Sequence, residues 1–330
     1  MTGDHVKTLN GKKSGKELKI RLDPAYLILF CYIMLIFSRF VMRGIGSGEN
    51  EYLAVIIMQL LTFALPAAIW YRLRLLPGFS EGGMLKPTAK RLRLSPPRLS
   101  HITIMISSVF VLISGCLLLS IGMSQSSSLE GSFSLYDVFV SRYDGKPLGA
   151  IWLVLAYAAL PAVCEEMVFR CFLCSEYDRY GVACSIIMNS LFFGFLHFNF
   201  MKLAVYLFAG AVLTVLLYAT RSVFSVIIVH FAYNLFCIFG QPYITEFYIT
   251  AGNTGTAVII LIAMLLGALV GFCGGARRLY AGYAESDPPS DSEPMTRGQF
   301  IKNLRACLLT PGTAICTALF LAFSIVMIFI

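Results

Sequence analysis

Residues Ile151–Ser175, which read IWLVLAYAALPAVCEEMVFRCFLCS, combine the length of a membrane-spanning helix with three charged side chains. About 20 predominantly apolar residues are needed to cross a bilayer as an α-helix, and this stretch is long enough. It contains Glu165, Glu166 and Arg170, and each charge near the centre of a spanning helix costs roughly 2.5–3.5 kcal/mol on insertion scales. The segment can therefore insert only if these side chains pair or line a polar cavity. Such a cluster is a functional-site hypothesis.

The composition of the chain predicts a polytopic membrane protein. Of the 330 residues, 58% are hydrophobic and only 13% are charged, whereas soluble domains average about 25% charged residues. The net charge of +8 does not indicate nucleic-acid binding, because the basic residues lie in loops beside apolar segments, where membrane topology requires them. The ten cysteines are scattered, mostly within apolar segments, and do not predict the disulfide framework of a short secreted protein.

The hydropathy pattern predicts an all-α fold, a transmembrane helical bundle of about eight or nine spans. The nine apolar segments lie near 25–42, 52–71, 101–123, 150–176, 181–200, 203–220, 222–243, 252–275 and 309–330. With the N-terminus in the cytoplasm, the cytoplasmic segments hold twenty Lys and Arg residues and the opposite segments hold five. This asymmetry favours that orientation.

We divide the chain into a tail, three membrane regions with an added span, and a linker. These parts are a basic cytoplasmic tail (1–24), N-terminal spans (25–149), a candidate catalytic core (150–240), an additional span (241–275), a cytoplasmic linker (276–306) and a C-terminal span (307–330). Within the N-terminal spans, the loop 72–100 is basic with interleaved leucines, and we expect it to bind anionic lipids at the inner membrane surface.

Two histidines and an asparagine lie within other apolar segments and can meet Glu165. A hairpin between the fourth and fifth spans places His197 about 6 Å along the axis from the level of Glu165, at 1.5 Å per residue. Two further turns of the chain bring His230 and Asn234, which share a helix face at i,i+4, within about two turns of that depth. The sequence predicts one buried site between the fourth, fifth and seventh spans.

The side chains indicate roles within this site. Glu166 and Arg170 have the i,i+4 spacing of a helical ion pair, so Arg170 can neutralise Glu166. Glu165 points about 100° away and stays available as a base that activates water. His197 can orient Glu165 or share that water with it.

The remaining polar groups fit two routes, which the residues alone leave open. His230 and Asn234 can supply N–H donors to a developing oxyanion. Alternatively, Glu165, His197 and His230 can provide the carboxylate and imidazoles of an open catalytic zinc site. Either route activates water against a carbonyl group.

At these residues the chain resembles the CPBP family, the CAAX-protease and bacteriocin-processing intramembrane proteases, also called the Abi family. The family pattern is EExxxR, FxxxH and HxxxN or HxxxD on three membrane helices. It is met by Glu165–Arg170 (EEMVFR), Phe193–His197 (FGFLH) and His230–Asn234 (HFAYN). The resemblance covers roughly residues 150–240 and implies a CAAX prenyl endopeptidase-like enzyme.

The resemblance implies hydrolysis of a peptide bond in a membrane-associated or lipidated protein or peptide. It carries over Glu165 as base or ligand, His197 as its partner, and His230 with Asn234 as ligands or oxyanion donors. Glu166 and Arg170 carry over as the supporting pair. The family is labelled metalloprotease, while a metal-free glutamate mechanism is also argued for it, so Zn²⁺ is an open expectation.

Two other functions are compatible with the same residues. Members of the resembled family tied to bacteriocin immunity suggest a non-catalytic immunity or scaffold protein of the same fold. Intramembrane Glu and His residues also form proton relays in transporters, although no internal repeat is visible here. We expect a multi-pass protein of a bacterial plasma membrane, or of the endoplasmic reticulum membrane in a eukaryote.

Overall fold

The computed structural model describes residues 22–44, 51–76, 88–124, 147–241, 243–244, 254–286 and 295–329. The regular elements in these ranges are helices, which confirms the predicted all-α class. They are α1 (Ala25–Gly44), α2 (Glu51–Gln59, Leu60–Ala64 and Leu65–Leu75), α3 (Leu99–His101 and Ile102–Ser124), α4 (Pro147–Val154, Leu155–Ala159, Leu160–Glu166, Met167–Leu173, Cys174–Tyr177 and Asp178–Tyr180), α5 (Val182–Leu196), α6 (Leu203–Thr220), α7 (Val223–Leu235 and Phe236–Gly240), α8 (Thr254–Ser286), α9 (Arg297–Leu308) and α10 (Pro311–Phe329).

Each predicted span coincides with a helix, and most of these helices are long enough to cross a membrane. Among the described residues, six helices (α2, α3, α4, α6, α7 and α8) have the required length and apolar composition. The helices α9 and α10 are bent by 64° relative to each other at a short break. If this pair is counted as one span, the described residues contain seven candidate spans. The predicted first and fifth spans are shorter apolar helices, Ala25–Ser38 within α1 and Val182–Leu196. The protein is therefore a multi-pass membrane protein with a span number close to the predicted one.

Several predicted segments are only partly covered by the described residues. Residues 1–21 of the tail and 77–87 of the basic loop lie outside them, as do residues 287–294 of the predicted linker. The described part of that linker is helical, because α8 continues to Ser286 and α9 begins at Arg297. Thr296 and Gln299 form a reciprocal capping box that fixes the start of α9.

Two prolines explain why α2 and α4 contain wide helical turns. A proline inside a helix lacks an N–H donor and its ring clashes with the carbonyl group four residues earlier. Pro66 follows a π-helical turn at Leu60–Ala64, and Pro161 follows another at Leu155–Ala159. The wider turn relieves the clash without ending the span.

Small residues and a tight turn bring the central helices together. Gly181, with φ of 94°, makes the turn between α4 and α5 in a conformation that glycine adopts readily. At Gly210 of α6, a Cβ atom would lie 2.9 Å from the Cα atom of Ser190 on α5. This close approach of two backbones needs a glycine and fixes α6 against α5 beside the polar residues of α4.

Candidate active site

The charged centre of α4 is an ion pair between Glu166 and Arg170, both 0% exposed. Arg170 Nη1 donates to Glu166 Oε1 at 3.1 Å, and Arg170 Nε lies 3.0 Å from Glu166 Oε2. Arg170 Nη2 also donates to the carbonyl oxygen of Gly210 at 3.2 Å, and its guanidinium lies 4.9 Å from the ring centroid of Phe193. The buried cation is thus compensated by groups from α4, α5 and α6.

Glu166 also holds a histidine of another helix. His230 Nδ1 lies 2.7 Å from Glu166 Oε1, and both side chains are buried. Because an ionised carboxylate only accepts hydrogen bonds, Nδ1 carries the proton and donates it to Glu166. This hydrogen bond fixes the orientation of the His230 ring relative to α4.

His197 is fixed by a different kind of partner. Its Nδ1 lies 2.8 Å from the carbonyl oxygen of Phe193, which can only accept, so Nδ1 carries the proton and Nε2 presents a lone pair. The ring stacks on Tyr206 of α6, with centroids 3.8 Å apart and planes at 16°. His197 is therefore a neutral, oriented imidazole with its basic nitrogen pointing away from the backbone contact.

Phe193 lies between the two imidazoles. Its ring centroid is 5.1 Å from that of His197 and 6.1 Å from that of His230. One aromatic ring therefore touches both histidines and lies under Arg170, which holds the polar groups in an apolar surrounding.

Asn234 lies one turn beyond His230 on α7 and is buried. Its Nδ2 donates to the carbonyl oxygen of Ala158 at 3.3 Å. Ala158 lies in the π-helical turn Leu155–Ala159 that precedes Pro161. The wide turn of α4 thus provides the acceptor that orients the amide beside His230.

Glu165 differs from the other five candidates because its carboxylate is uncommitted. Its side chain is half-buried, and it makes no hydrogen bond or ion pair with any described residue. The titratable groups that act on it electrostatically are His230, Glu166 and Arg170. A carboxylate next to the buried network, yet outside it, is free to bind a water molecule or a substrate group.

The structure brings the predicted residues into one region and adds contacts that the sequence did not indicate. The pair of Glu166 and Arg170 has the predicted partners, whereas the hydrogen bond from His230 to Glu166 was not anticipated. The sixth helix, α6, was not expected at the site, yet it supplies Tyr206 and the carbonyl oxygen of Gly210. Nothing in the sequence distinguishes Tyr206 among 16 tyrosines.

The proposed zinc ligands do not form a metal-binding group in the described part of the chain. There, no three His, Cys, Asp or Glu side chains are placed together so that they could hold a metal ion. Glu165, His197 and His230 therefore do not converge on one point as a ligand set.

Comparison with known proteins agrees with the resemblance predicted from the motifs. A family model described as Type II CAAX prenyl endopeptidase Rce1-like matches residues 147–236. This range includes all six candidate residues, from Glu165 to Asn234. Neither a curated protein nor a solved structure matches the chain. The predicted resemblance to the CAAX-protease family is confirmed.

Proposed function

We propose that this chain, which over residues 147–236 is similar to the Rce1-like type II CAAX prenyl endopeptidases, cleaves a membrane-associated or lipidated protein or peptide. At the level of the family it is a CAAX-protease-like intramembrane endopeptidase. The observation that carries the finer proposal is the contrast between Glu165, whose carboxylate has no partner among the described residues, and the neighbouring Glu166, which is held by Arg170 and His230. This is the arrangement that general-base activation of water requires.

In the proposed reaction, Glu165 accepts a proton from a water molecule as the water oxygen attacks the carbonyl carbon of the scissile peptide bond. A new C–O bond forms and the carbonyl π electrons move to its oxygen. When the tetrahedral intermediate collapses, the C–N bond breaks and the amine leaves with a proton delivered by Glu165. The products are a carboxylic acid and an amine, between which a proton passes to give a carboxylate and an ammonium group, and Glu165 returns to its starting state.

The two histidines serve different parts of this reaction. His230, which Glu166 orients through Nδ1, and the second N–H of Asn234 serve as the donors to the oxyanion. His197, a neutral imidazole with an available Nε2, orients the attacking water beside Glu165. Glu166 and Arg170 position His230 and do not contact the substrate.

Zinc activation of the water is the alternative route that the residue types leave open. The ligand set does not converge in the described residues, which favours the metal-free route. Elemental analysis of purified active protein, combined with chelator treatment, tests this choice. Full activity in metal-free protein supports the glutamate route, whereas loss with chelator and recovery with Zn²⁺ supports the zinc route.

The central experiment compares Glu165→Gln and His197→Ala with the unmodified chain in proteoliposomes that contain a farnesylated CAAX peptide. We expect Glu165→Gln to lower the cleavage rate at least about a thousandfold, because the base is removed while the side-chain volume is kept. His197→Ala is expected to lower it about a hundredfold. Glu285→Gln, an exposed carboxylate at the end of α8, serves as the matched control.

Retained cleavage in Glu165→Gln would refute this assignment. If the unmodified chain does not cleave the farnesylated peptide, a comparison of membrane proteomes with and without the protein tests other substrates for shortened C-termini. Complementation of a cellular phenotype by Glu165→Gln would instead favour the immunity or scaffold function. Ion-dependent uptake into the proteoliposomes would favour the transporter.

We further propose that the N-terminus lies in the cytoplasm, on the basis of the distribution of Lys and Arg, and that the membrane is a bacterial plasma membrane, with the endoplasmic reticulum membrane of a eukaryote as the alternative. Reporter fusions after the predicted spans test the orientation. Fusions in the loop 72–100 are expected to report the cytoplasm, and a periplasmic signal there would reverse the topology.

A further inference from the structure

A second charged cluster lies where α2 and α4 end, away from the candidate active site. Arg74 Nε donates to Glu176 Oε1 at 2.6 Å, and Trp70 Nε1 donates to the same oxygen at 3.1 Å. The candidate spans containing these residues end at Leu75 and Tyr180. The cluster therefore lies at the boundary of the apolar spans, the level at which lipid headgroups begin.

This cluster contains buried donors that no described residue satisfies. Arg74 is only 4% exposed, yet its Nη1 and Nη2 have no hydrogen-bond partner within the described part of the chain. The same holds for the buried Nε and Nη1 of Arg179 and for the acceptor Oε2 of Glu176. Arg179 follows Glu176 by three residues, so it lies on the same face of α4 as the carboxylate that holds Arg74. Among the described residues, four N–H-bearing atoms of two guanidinium groups thus outnumber the one acceptor atom that is left without a partner.

A third arginine lies beside these two. Arg91 Nη2 donates to the carbonyl oxygen of Ser175 at 3.0 Å, and both Arg91 and Arg179 repel Arg74 electrostatically. We name the three residues the arginine cluster (Arg74, Arg91 and Arg179), and Glu176 is the carboxylate that contacts Arg74 in it.

The neighbouring carboxylates are already committed elsewhere. Asp178 binds Arg93 Nη2 at 3.0 and 3.1 Å and accepts from the hydroxyl of Tyr218 at 2.6 Å. Asp23 accepts from the backbone N–H groups of Ala25 and Gly312. Burying unsatisfied cations is costly, so a missing anion is the simplest way to complete the cluster.

We propose that the arginine cluster binds a phosphoryl group. Planar guanidinium forks match phosphate oxygens in geometry and charge, and two adjacent forks with unsatisfied donors form such a site. The position at the ends of two spans matches the depth of lipid phosphates. The phosphoryl group can belong to an anionic lipid headgroup or to a free phosphate, and this binding is independent of the proposed peptidase activity.

The tryptophan in the cluster provides a direct measurement. The chain contains two tryptophans, and Trp152 is 43% exposed on α4. In a Trp152→Phe background, Trp70 alone reports on the site through its bond to Glu176. The full chain is placed in nanodiscs of phosphatidylcholine with increasing phosphatidylglycerol, and in detergent micelles titrated with inorganic phosphate or pyrophosphate.

Two variants test the guanidinium groups, and a third is the control. Arg74→Lys removes the two unsatisfied Nη atoms. Because it keeps a cation that can pair with Glu176, we expect this variant to fold. Arg179→Gln removes the second fork. Arg278→Gln removes the same charge from an exposed residue of α8, whose Nε donates within its own helix to Gly274. The background and each variant are compared by the concentration at half-maximal fluorescence change.

We expect a saturable change in Trp70 fluorescence that is at least about tenfold weaker in Arg74→Lys and Arg179→Gln and unchanged in Arg278→Gln, since charge-assisted hydrogen bonds are lost. A response to phosphatidylglycerol alone assigns the phosphoryl group to lipid, and a response to phosphate as well assigns a general phosphoryl site. The absence of a saturable change with every probe, or equal responses of Arg179→Gln and Arg278→Gln, overturns the proposal.

Discussion

Two buried glutamates, ten residues apart on α4, each pair with an arginine. The two arginines differ in the partners of their remaining hydrogen-bonding groups. Glu166 pairs with Arg170 of the same helix, with separations of 3.0 and 3.1 Å. Glu176 pairs with Arg74 of α2, with a separation of 2.6 Å. All four residues are buried, so each pair avoids the cost of an isolated charge in an apolar surrounding.

The difference lies in the remaining hydrogen-bonding capacity of each arginine. Arg170 also binds the carbonyl oxygen of Gly210 and lies over Phe193, while its partner Glu166 holds His230. Arg74 keeps two buried nitrogen atoms without an acceptor among the described residues. In the first pair, Arg170 Nε and Glu166 Oε2 make no hydrogen bond but face each other as an ion pair at 3.0 Å, so the network that fixes His230 is closed. The second pair is open to a further anion. Similar residues on one helix thus serve positioning in one place and binding in the other.

The largest effect is expected from breaking the closed pair. Glu166→Ala leaves Arg170 as an uncompensated buried cation and removes the acceptor of His230, so we expect a loss of about 3–5 kcal/mol in the free energy of unfolding. Unfolding in mixed micelles with increasing denaturing detergent measures it.

A double variant separates stability from function at the same position. Glu166→Leu combined with Arg170→Met replaces the pair by apolar side chains and is expected to recover most of the stability. Cleavage should not recover, because His230 still lacks the carboxylate that orients it. Recovery of both properties would show that Glu166 acts only as a partner for Arg170.

A smaller effect is expected at the open pair. Glu176→Ala removes the acceptor shared by Trp70 and Arg74, and we expect a loss of about 2 kcal/mol in the free energy of unfolding. The cost is lower than at Glu166 because Arg74 lies at the end of a span, so its long side chain, once released from Glu176, can extend to the membrane surface. Cleavage by the folded protein is expected to stay unchanged.

The same unfolding measurement is applied to a control variant for Glu176→Ala. Glu285→Ala removes an exposed carboxylate and should change stability by less than about 0.5 kcal/mol. A loss of stability at Glu176 equal to that at Glu166 would mean that the two pairs are equivalent, contrary to the comparison above.

The sequence allowed the closed pair to be predicted but not the open one, for a physical reason. Glu166 and Arg170 are four residues apart, and helical geometry alone makes them neighbours. Arg74 and Glu176 are separated by 102 residues, and their meeting depends on how α2 packs on α4. Hydropathy likewise predicted the positions of the spans, because the length of apolar segments is a property of the sequence.

The contacts between helices at the site could not be predicted from residue spacing or hydropathy. The partner of His230 could have been Glu165 or Glu166, since the choice depends on the rotation of α4, which contains a π-helical turn at Met167–Leu173 directly after these residues. The depth estimate placed the groups near one level but gave no information on rotation. Tyr206 was missed because a tyrosine in an apolar span has no periodicity or motif that distinguishes it.

Tyr206 offers the finest test, because it contacts His197, the histidine of the candidate site that is held by a backbone carbonyl group and not by a carboxylate. Its ring stacks on His197 at 3.8 Å, and an aromatic pair of this kind contributes about 0.5–1.5 kcal/mol beyond its buried area. Tyr206→Leu removes the stack, and we expect kcat to fall by up to about tenfold with KM unchanged, since the orientation of His197 matters for the reaction and not for substrate binding.

The variant Tyr206→Phe distinguishes two roles of this side chain, orientation of His197 by the ring and participation of the phenol hydroxyl group in the reaction. Tyr206→Phe keeps the ring on His197, so its kcat should stay within about twofold of that of the unmodified chain. An equal fall of kcat in Tyr206→Phe and Tyr206→Leu would assign the effect to the hydroxyl group. This group lies within electrostatic range of Glu165. Tyr280→Leu, at a half-exposed position of α8, controls for the loss of a tyrosine as such. A rise in KM with kcat preserved in Tyr206→Leu would instead place Tyr206 against the substrate. His230 is held by a carboxylate, whereas His197 is held by a carbonyl group and an aromatic ring. The change of kcat in the Tyr206 variants, the smallest effect expected, therefore reports on the histidine with the weaker contacts.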